Sequence, residues 1–159
     1  MPKATVLLVK SQSLHSKYGQ IPNLNLSHGM ERNRKYYNSI MRKKSCLPLK
    51  TLIVTHQASA YKSLGIVCKT ESQACEMAEK LQIPDIHFLS NQSSAFVQGI
   101  VITSAHMAKG LEFDEVIIPQ VDDKNYHSEI DRSMLYVAAT RAMHRLTLTY
   151  SGTKHTPFI

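Results

Sequence analysis

Residues 100–119 read IVITSAHMAKGLEFDEVIIP, two apolar runs separated by a polar segment that contains a glycine. Short apolar runs bounded by turn residues are typical of buried strands. The segment between the runs, TSAHMAKGLEFD at residues 103–114, carries Lys109, Gly110 and Glu112. A loop that follows a buried strand places polar groups at the carboxyl edge of a sheet, where α/β folds bind ligands. We therefore expect a ligand-binding loop in an α/β fold.

Apolar runs and helical periodicity alternate through the rest of residues 63–159. A capping box, Thr70 with Gln73, and a second cap, Ser128 with Asp131 three residues on, each mark the start of a helix. This alternation, with short connections, predicts a mostly parallel sheet with flanking helices. Strands are expected at residues 64–69, 86–89, 100–103, 116–119 and 146–150, and helices at residues 70–84 and 128–144.

We expect residues 1–62 to form a separate, partly irregular segment in front of a core at residues 63–159. The expected elements are a strand at residues 4–9, a loop at residues 11–29, a helix at residues 31–44 and a strand at residues 49–55.

Charge is distributed unevenly along the 159 residues, whose formal net charge is +7. Residues 1–60 hold ten basic residues and one acidic residue, whereas the remainder holds nine basic and eleven acidic residues. The densest basic stretch, ERNRKYYNSIMRKK at residues 31–44, combines phosphate-binding charges with two tyrosines on which bases can stack. A solvated basic face is the alternative. The candidate nucleic-acid contacts here are Arg32, Arg34, Lys35, Arg42 and Lys43.

Composition excludes several classes of protein. The apolar runs are far shorter than the roughly 20 residues that span a bilayer, so no membrane partner is expected. Three cysteines without a C-x-x-C pair favour reduced thiols and a soluble, cytoplasmic protein. The eight histidines show no metal-ligand spacing, and no metal site is expected.

Residues 132–145, RSMLYVAATRAMHR, place a cation on a face that should pack against the sheet. On a helical wheel Arg141 lies over Met134, and its neighbours are small. An unpaired charge on such a face is costly, so Arg141 needs a phosphate or a carboxylate. We leave open a bound phosphate and an internal ion pair with Glu129 or Asp131. For Glu112, a ribose hydroxyl and an ordinary solvated turn are likewise both open.

Together these stretches resemble a known family. AHMAKGLEFDEVIIP at residues 105–119 resembles motif V, and RSMLYVAATRAMHRLTLTYSG at residues 132–152 resembles motif VI, of the UvrD/Rep-like superfamily one DNA helicases. The agreement is best with the helicase IV (HelD-like) branch. The strand and helix at residues 63–81 look like the I-x-x-K-[TS] element of that branch, and the resemblance covers roughly residues 63–159.

The resemblance implies a RecA-like second motor domain (2A), which closes on ATP and Mg²⁺ bound mainly by an N-terminal motor domain. Arg141 matches the motif VI arginine that reaches the γ-phosphate, the role of an arginine finger. Glu112 matches an acid near the nucleotide sugar, and Gly110 and Lys109 match the loop that couples nucleotide to DNA.

The same motifs imply contacts beyond the nucleotide. Ser104 and His106 match motif V residues that face single-stranded DNA. Tyr136 and Thr140 match motif VI residues that position the helix and its arginine.

The chain also departs from the family. It has no G-x-x-x-x-G-K-[ST] and no Walker B pair, so ATP hydrolysis by the chain alone is not expected. Gln12 and Ser13 stand where motif IV carries Tyr and Arg. The implied partners are an N-terminal helicase motor domain and single-stranded DNA. The alternative is a non-catalytic module that binds nucleic acid or RNA polymerase.

Overall fold

A parallel sheet with helices on both faces organises the chain. The computed structural model describes residues 5–10, 35–38, 47–91, 99–151 and 154–159, and the side chains of residues 49–91, 99–151 and 154–159. The elements, in chain order, are β1 (Thr5–Lys10), β2 (Lys35–Asn38), α1 (Leu47–Gln57), β3 (Leu64–Cys68), α2 (Glu71–Leu81), β4 (Ile86–Phe88), β5 (Ile100–Ser104), β6 (Phe113–Ile118), α3 (Glu129–Ala139) and β7 (Ala142–Tyr150).

The strand order is β2-β1-β7-β6-β3-β5-β4, and every neighbouring pair is parallel. Five of these strands, β7-β6-β3-β5-β4, carry described side chains. Parallel neighbours need crossover connections, which α2 and α3 supply. This arrangement confirms the prediction of an α/β fold with a parallel sheet and flanking helices.

The core consists of two apolar layers, one on each face of the sheet. All five residues of β3 and all five of β5 are buried, as expected for strands covered on both faces. On one face α1 and α2 pack Ile53 and Met77 against Ile66 and Ile102. On the other face α3 packs Leu135 against the apolar side chains of β6 and β7.

Gly65 allows an unusually close approach inside the sheet. A Cβ built on Gly65 would lie 2.5 Å from a ring carbon of Phe113, whose side chain is fully buried. Because Gly65 has no side chain, the ring of Phe113, the first residue of β6, packs closely against the β3 backbone.

Both predicted helix caps are formed, and each is a capping box. The Thr70 hydroxyl accepts from the Gln73 backbone N–H while the Gln73 side chain accepts from the Thr70 N–H. Ser128 and Asp131 make the same reciprocal pair at α3. The two helix starts are therefore confirmed, as are the strands at β1, β3, β4 and β5 to within about two residues.

Three sequence predictions are wrong. Residues 49–55 form part of helix α1 and not a strand, because Leu49, Ile53 and His56 lie on one helical face that is buried against the sheet. Residues 35–38, expected within a helix, form β2 and pair with β1. The helix at residues 128–144 ends at Ala139, because the chain from Ala142 onward pairs with β6 as a strand.

One expectation falls outside the described residues, and another is not tested by the structure. The loop expected at residues 11–29 lies outside them. The division between residues 1–62 and 63–159 stays a prediction, although α1, on the N-terminal side of that boundary, packs in the same core as α2.

Cys68 is buried and Cys75 is exposed, and both are free thiols. Among the described helices, none combines the length and the apolar character needed to cross a membrane.

Candidate functional site

Arg141 lies at the junction of α3 and β7. It follows Thr140, the C-cap of α3, and it immediately precedes the first residue of β7. Its carbonyl accepts from the Phe113 backbone N–H at 2.9 Å, which ties it to the first residue of β6. Arg141 is therefore held in the turn after the helix, and not on the sheet-facing helical surface that the helical wheel suggested.

The guanidinium of Arg141 is partly exposed and is oriented by neutral acceptors. Its Nε donates to the Val137 carbonyl at 3.1 Å, one terminal nitrogen donates to the Leu111 carbonyl at 3.3 Å, and the other donates to the Thr140 hydroxyl at 3.0 Å. These contacts fix the direction of the side chain without neutralising its charge.

The internal ion pair considered for Arg141 is not formed. Glu129 pairs with Arg132 at 3.4 Å, and Asp131 pairs with Lys69 at 2.5 Å. Among the residues that the structure describes, Arg141 has no carboxylate partner. A partly buried cation that is oriented but not neutralised suits an incoming anion such as a phosphate.

Lys109, Gly110 and Glu112 are all exposed. Gly110 has a positive φ of 88°, and an added Cβ there would have no neighbour within 4 Å, so its backbone faces open space. The sequence pattern predicts these residues at the carboxyl edge of the sheet, and that position is wrong. Because β6 begins at Phe113, they lie at its amino end, beside Arg141 at the amino end of β7.

Ser104 and His106 lie at the opposite edge, where β5 ends. The Ser104 side chain is buried, and its hydroxyl accepts from the Met107 backbone N–H at 3.3 Å. His106 is exposed. Residues 105–112 therefore cross from the carboxyl edge to the amino edge, and they separate this pair from the residues around Arg141.

Thr140 and Tyr136 differ in their relation to the arginine. The Thr140 hydroxyl donates to the Val137 carbonyl at 2.9 Å and accepts from the guanidinium. The Tyr136 side chain is 50% exposed on the outer side of α3. Its backbone carbonyl accepts from the Thr140 N–H, which forms part of the helix end.

The basic segment is largely outside the described residues. Arg32, Arg34, Arg42 and Lys43 lie outside them, as do Gln12 and Ser13 of the motif IV comparison. Lys35 is the first residue of β2, and only its backbone is described. In the described ranges, no group of three or more His, Cys, Asp or Glu side chains is arranged to hold a metal ion.

The sequence model of the UvrD-like helicase C-terminal domain family matches residues 9–153. The chain belongs to this family. Its sequence-based identification as UvrD-like is thereby confirmed, whereas the finer assignment to the helicase IV branch stays a prediction.

Individual relatives of this UvrD-like domain agree. DNA helicase II of Escherichia coli is 33% identical over 73 residues, which are 40% of this chain and 10% of that protein. The Gabija protein GajB of Bacillus cereus is 41% identical over 58 residues, 36% of this chain and 12% of that protein. The matched segments thus span about a tenth of each relative.

A solved structure supports the fold. The C-terminal domain of a possible DNA helicase from Lactobacillus plantarum superposes with a TM-score of 0.66 at 19% identity. The superposition covers 99% of this chain and 80% of the other. At this level of identity the likeness establishes a common fold.

The UvrD-like domain contains a cluster around Lys69 that the sequence patterns do not predict. Lys69 follows β3, and its ammonium pairs with Asp131 and donates to the Asn125 carbonyl at 2.6 Å. It also lies 5.6 Å from the centroid of the buried Tyr126 ring. A lysine directly after a fully buried strand was the available signal, since such a cation at a sheet edge needs a partner.

A second missed cluster surrounds Glu115, which is 4% exposed in the middle of β6. Its carboxylate contacts His56 Nδ1 of α1 at 2.5 Å and pairs with Arg145 of β7. The Arg145 guanidinium lies 5.3 Å from the centroid of the Tyr61 ring, on which His144 stacks. An acid inside an apolar strand was the signal here, but it does not identify the partners.

Asp114, next to Glu115, binds the residues that precede β3 at the amino edge of the sheet. Its carboxylate accepts from the backbone N–H groups of Lys62 and Ser63 and from the Ser63 hydroxyl, at 2.9 to 3.1 Å. Burial alone would raise the pKa of Asp114, but these hydrogen bonds outweigh it and hold the pKa below its ordinary value. The charged carboxylate fixes the chain that leads into β3 next to the start of β6.

Proposed function

We propose that the chain acts as the C-terminal motor domain of an ATP-dependent DNA helicase or translocase, and that it supplies Arg141 as an arginine finger. The observation that carries the proposal is the guanidinium of Arg141, which three neutral acceptors orient and no described carboxylate neutralises. An oriented cation stabilises the negative charge that develops on a phosphoryl group during transfer to water. ATP supplies that phosphoryl group.

The residues beside Arg141 fit a nucleotide. Glu112 is exposed and offers a carboxylate that accepts hydrogen bonds from ribose hydroxyls. The open space around Gly110 allows a ligand to approach the backbone, and Lys109 adds a second cation to the same loop. Mg²⁺ usually binds substrate phosphates and one or two carboxylates, and we expect the ATP phosphates and the N-terminal motor domain to hold it.

Single-stranded DNA is proposed to lie at the opposite edge. His106 is the exposed candidate there, and the buried Ser104 hydroxyl shapes the turn that presents it. Residues 105–112 form a continuous connection from this edge to the Leu111 carbonyl that Arg141 contacts. A shift of this segment on DNA would therefore reach the arginine directly.

The partner implied by this arrangement is an N-terminal motor domain with a Walker A loop, because no such loop occurs in this sequence. The test mixes the chain with the N-terminal motor domain of a UvrD-like helicase and measures DNA-stimulated ATP hydrolysis. Arg141→Ala should lower the stimulated rate by about 10³-fold or more, the usual contribution of an arginine finger.

The matched control is Arg132→Ala, which removes an exposed arginine from α3, the helix that precedes Arg141. It should leave the stimulated rate within about twofold, as expected for a surface ion pair. If the wild-type chain gives no rate above that of the N-terminal domain alone, the motor proposal is overturned, and a non-catalytic binding module becomes the better interpretation.

A further inference from the structure

The start of α3 is fastened to the end of β3 by a buried polar cluster. Lys69 is the link, since its ammonium contacts Asp131 at 2.5 Å and the Asn125 carbonyl at 2.6 Å. The Lys69 and Asp131 side chains are 18% and 7% exposed. An ion pair shielded to this degree is screened far less by solvent than a surface pair.

Asp131 also belongs to the helix cap. Its Oδ2 accepts from the backbone N–H groups of His127 and Ser128 at 3.1 and 3.0 Å, while its Oδ1 faces Lys69. One carboxylate thus joins the first turn of α3 to β3. A second connection runs from Gln73 of α2 to the Asn125 side chain at 2.8 Å.

The apolar contacts between α3 and the core come from two large side chains and two alanines. The buried residues of α3 are Asp131, Leu135, Ala138 and Ala139, and the partly buried Met134 also packs against the core. Alanines present shallow ridges, and they interlock weakly with the opposing surface. The contacts at the two ends of the helix therefore add to this packing in setting its position along the sheet.

The far end of α3 leads into Arg141. The helix has 11 residues, and at about 1.5 Å per residue it extends roughly 16 Å between the Lys69 cluster and the arginine. Since the Arg141 Nε donates to Val137 in the last turn, a displacement of α3 moves the guanidinium with it.

We propose that Lys69 is a positioning residue for Arg141, which it places through the ion pair with Asp131 at the opposite end of α3. The inference rests on the function proposed above in so far as Arg141 acts on a phosphate. Lys69 itself acts through the helix and does not contact the nucleotide.

The first test reads out Arg141 in the full chain without ATP hydrolysis. The Nε–H resonance of Arg141 is identified by its loss in Arg141→Lys, and its chemical shift and exchange with solvent are measured by NMR. Lys69→Met, which keeps the apolar stem and removes the cation, should shift this resonance and speed its exchange. Lys69→Arg should restore both.

The matched control is Lys80→Met, which removes a cation that pairs with Glu76 at 3.0 Å on the exposed side of α2. It should leave the Arg141 resonance unchanged. If Lys69→Met does not fold, Asp131→Asn provides the same test, because it removes the charge and keeps one amide oxygen that can accept from the backbone N–H groups of the cap. An unchanged Arg141 resonance in a folded variant, with altered amide signals only at residues 127–131, overturns the proposal.

The second test uses the mixture with the N-terminal motor domain. Lys69→Met should lower kcat about tenfold or more with little change in KM, since misplacing a reacting group by about 1 Å costs up to 100-fold in rate. Lys69→Arg should recover most of kcat. An equal loss in Lys80→Met would overturn the positioning role. A wild-type mixture without activity would instead overturn the proposed function, and the NMR result would still decide the role of Lys69.

Discussion

Asp131 keeps its negative charge in a site that is only 5% exposed. Burial by itself would raise its pKa, but the hydrogen bonds from Lys69 and from the backbone of Ser128 and His127 outweigh it and hold the pKa well below the ordinary 3.8. A carboxylate that is more acidic in the folded than in the unfolded chain stabilises the fold at neutral pH. That stabilisation is lost as the pH falls through the two values.

We therefore expect the free energy of unfolding to decrease between about pH 5 and about pH 2, the range in which such carboxylates take up protons. Urea unfolding at a series of pH values measures it. Asp131→Asn should be less stable than the wild type at pH 7, and the two should converge in acid. Asp123→Asn, at an exposed position, should retain the acid loss. If the free energy of unfolding of Asp131→Asn changes with pH in parallel with that of the wild type, Asp131 is not the source of the acid loss.

For single residues, the sequence indicates which charged side chains need a partner, but it does not identify the partner. Arg141 was recognised, yet both carboxylates considered for it bind other cations. Glu115 meets His56, which is 59 residues away along the chain. Such pairs depend on the order of strands in the sheet, and no local pattern contains that order.

At the scale of elements, local chemistry predicted the starts of helices well. A capping box joins residues three positions apart, so the signals at Thr70 and Ser128 are readable without knowledge of the fold. The end of α3 was missed because the pairing of Ala142 with Phe113 across the sheet overrides the helical pattern. The wrong edge for Gly110 and Glu112 has a different cause, since both residues were related to the end of β5 although they lie just before β6.

For helix α1, the local sequence pattern predicts the wrong type of element. Its sequence, LPLKTLIVTHQ, is rich in β-branched residues, which favour strands, and a short apolar run does not distinguish a strand from a buried helix. The helical face is nevertheless present, since Leu49, Ile53 and His56 are buried and Val54 is 61% exposed. Tertiary packing decides between the two patterns.

This helix gives a direct test of the assignment. Ile53 is fully buried, so Ile53→Ala should lower the free energy of unfolding by about 2 to 5 kcal/mol through reduced burial and a residual cavity. Val54→Ala, at the adjacent exposed position, should change it by no more than about 0.5 kcal/mol. Chemical denaturation of both variants measures the difference. Equal losses would contradict the helical assignment of residues 47–57.

For the molecule as a whole, the main asymmetry is charge. Residues 1–60 carry the excess of basic residues, and the remainder, which holds Arg141 and its neighbours, is slightly acidic. Helix α1 lies inside the basic part and packs in the core, so deleting residues 1–60 would damage the fold as well as remove charge. The role of the basic segment is better tested by substitution in the full chain.

Single-stranded DNA binding should depend on where the charge lies as well as on how much there is. Each neutralised phosphate contributes a slope of about −0.7 to the dependence of log affinity on log salt concentration. Replacing Arg32, Arg34, Arg42 and Lys43 by Gln should therefore make the slope shallower by about 0.7 for each phosphate that is no longer neutralised. Fluorescence anisotropy with a labelled oligonucleotide across a salt series measures it.

The matched control replaces four exposed lysines elsewhere, Lys50, Lys62, Lys80 and Lys154, by Gln and lowers the net charge by the same amount. If the basic segment binds the phosphates, the control keeps most of the wild-type slope, because general attraction between a charged protein and DNA is screened beyond about 10 Å at 0.1 M salt. Equal reductions in both variants would mean that net charge alone attracts DNA and that the segment at residues 31–44 is a solvated face.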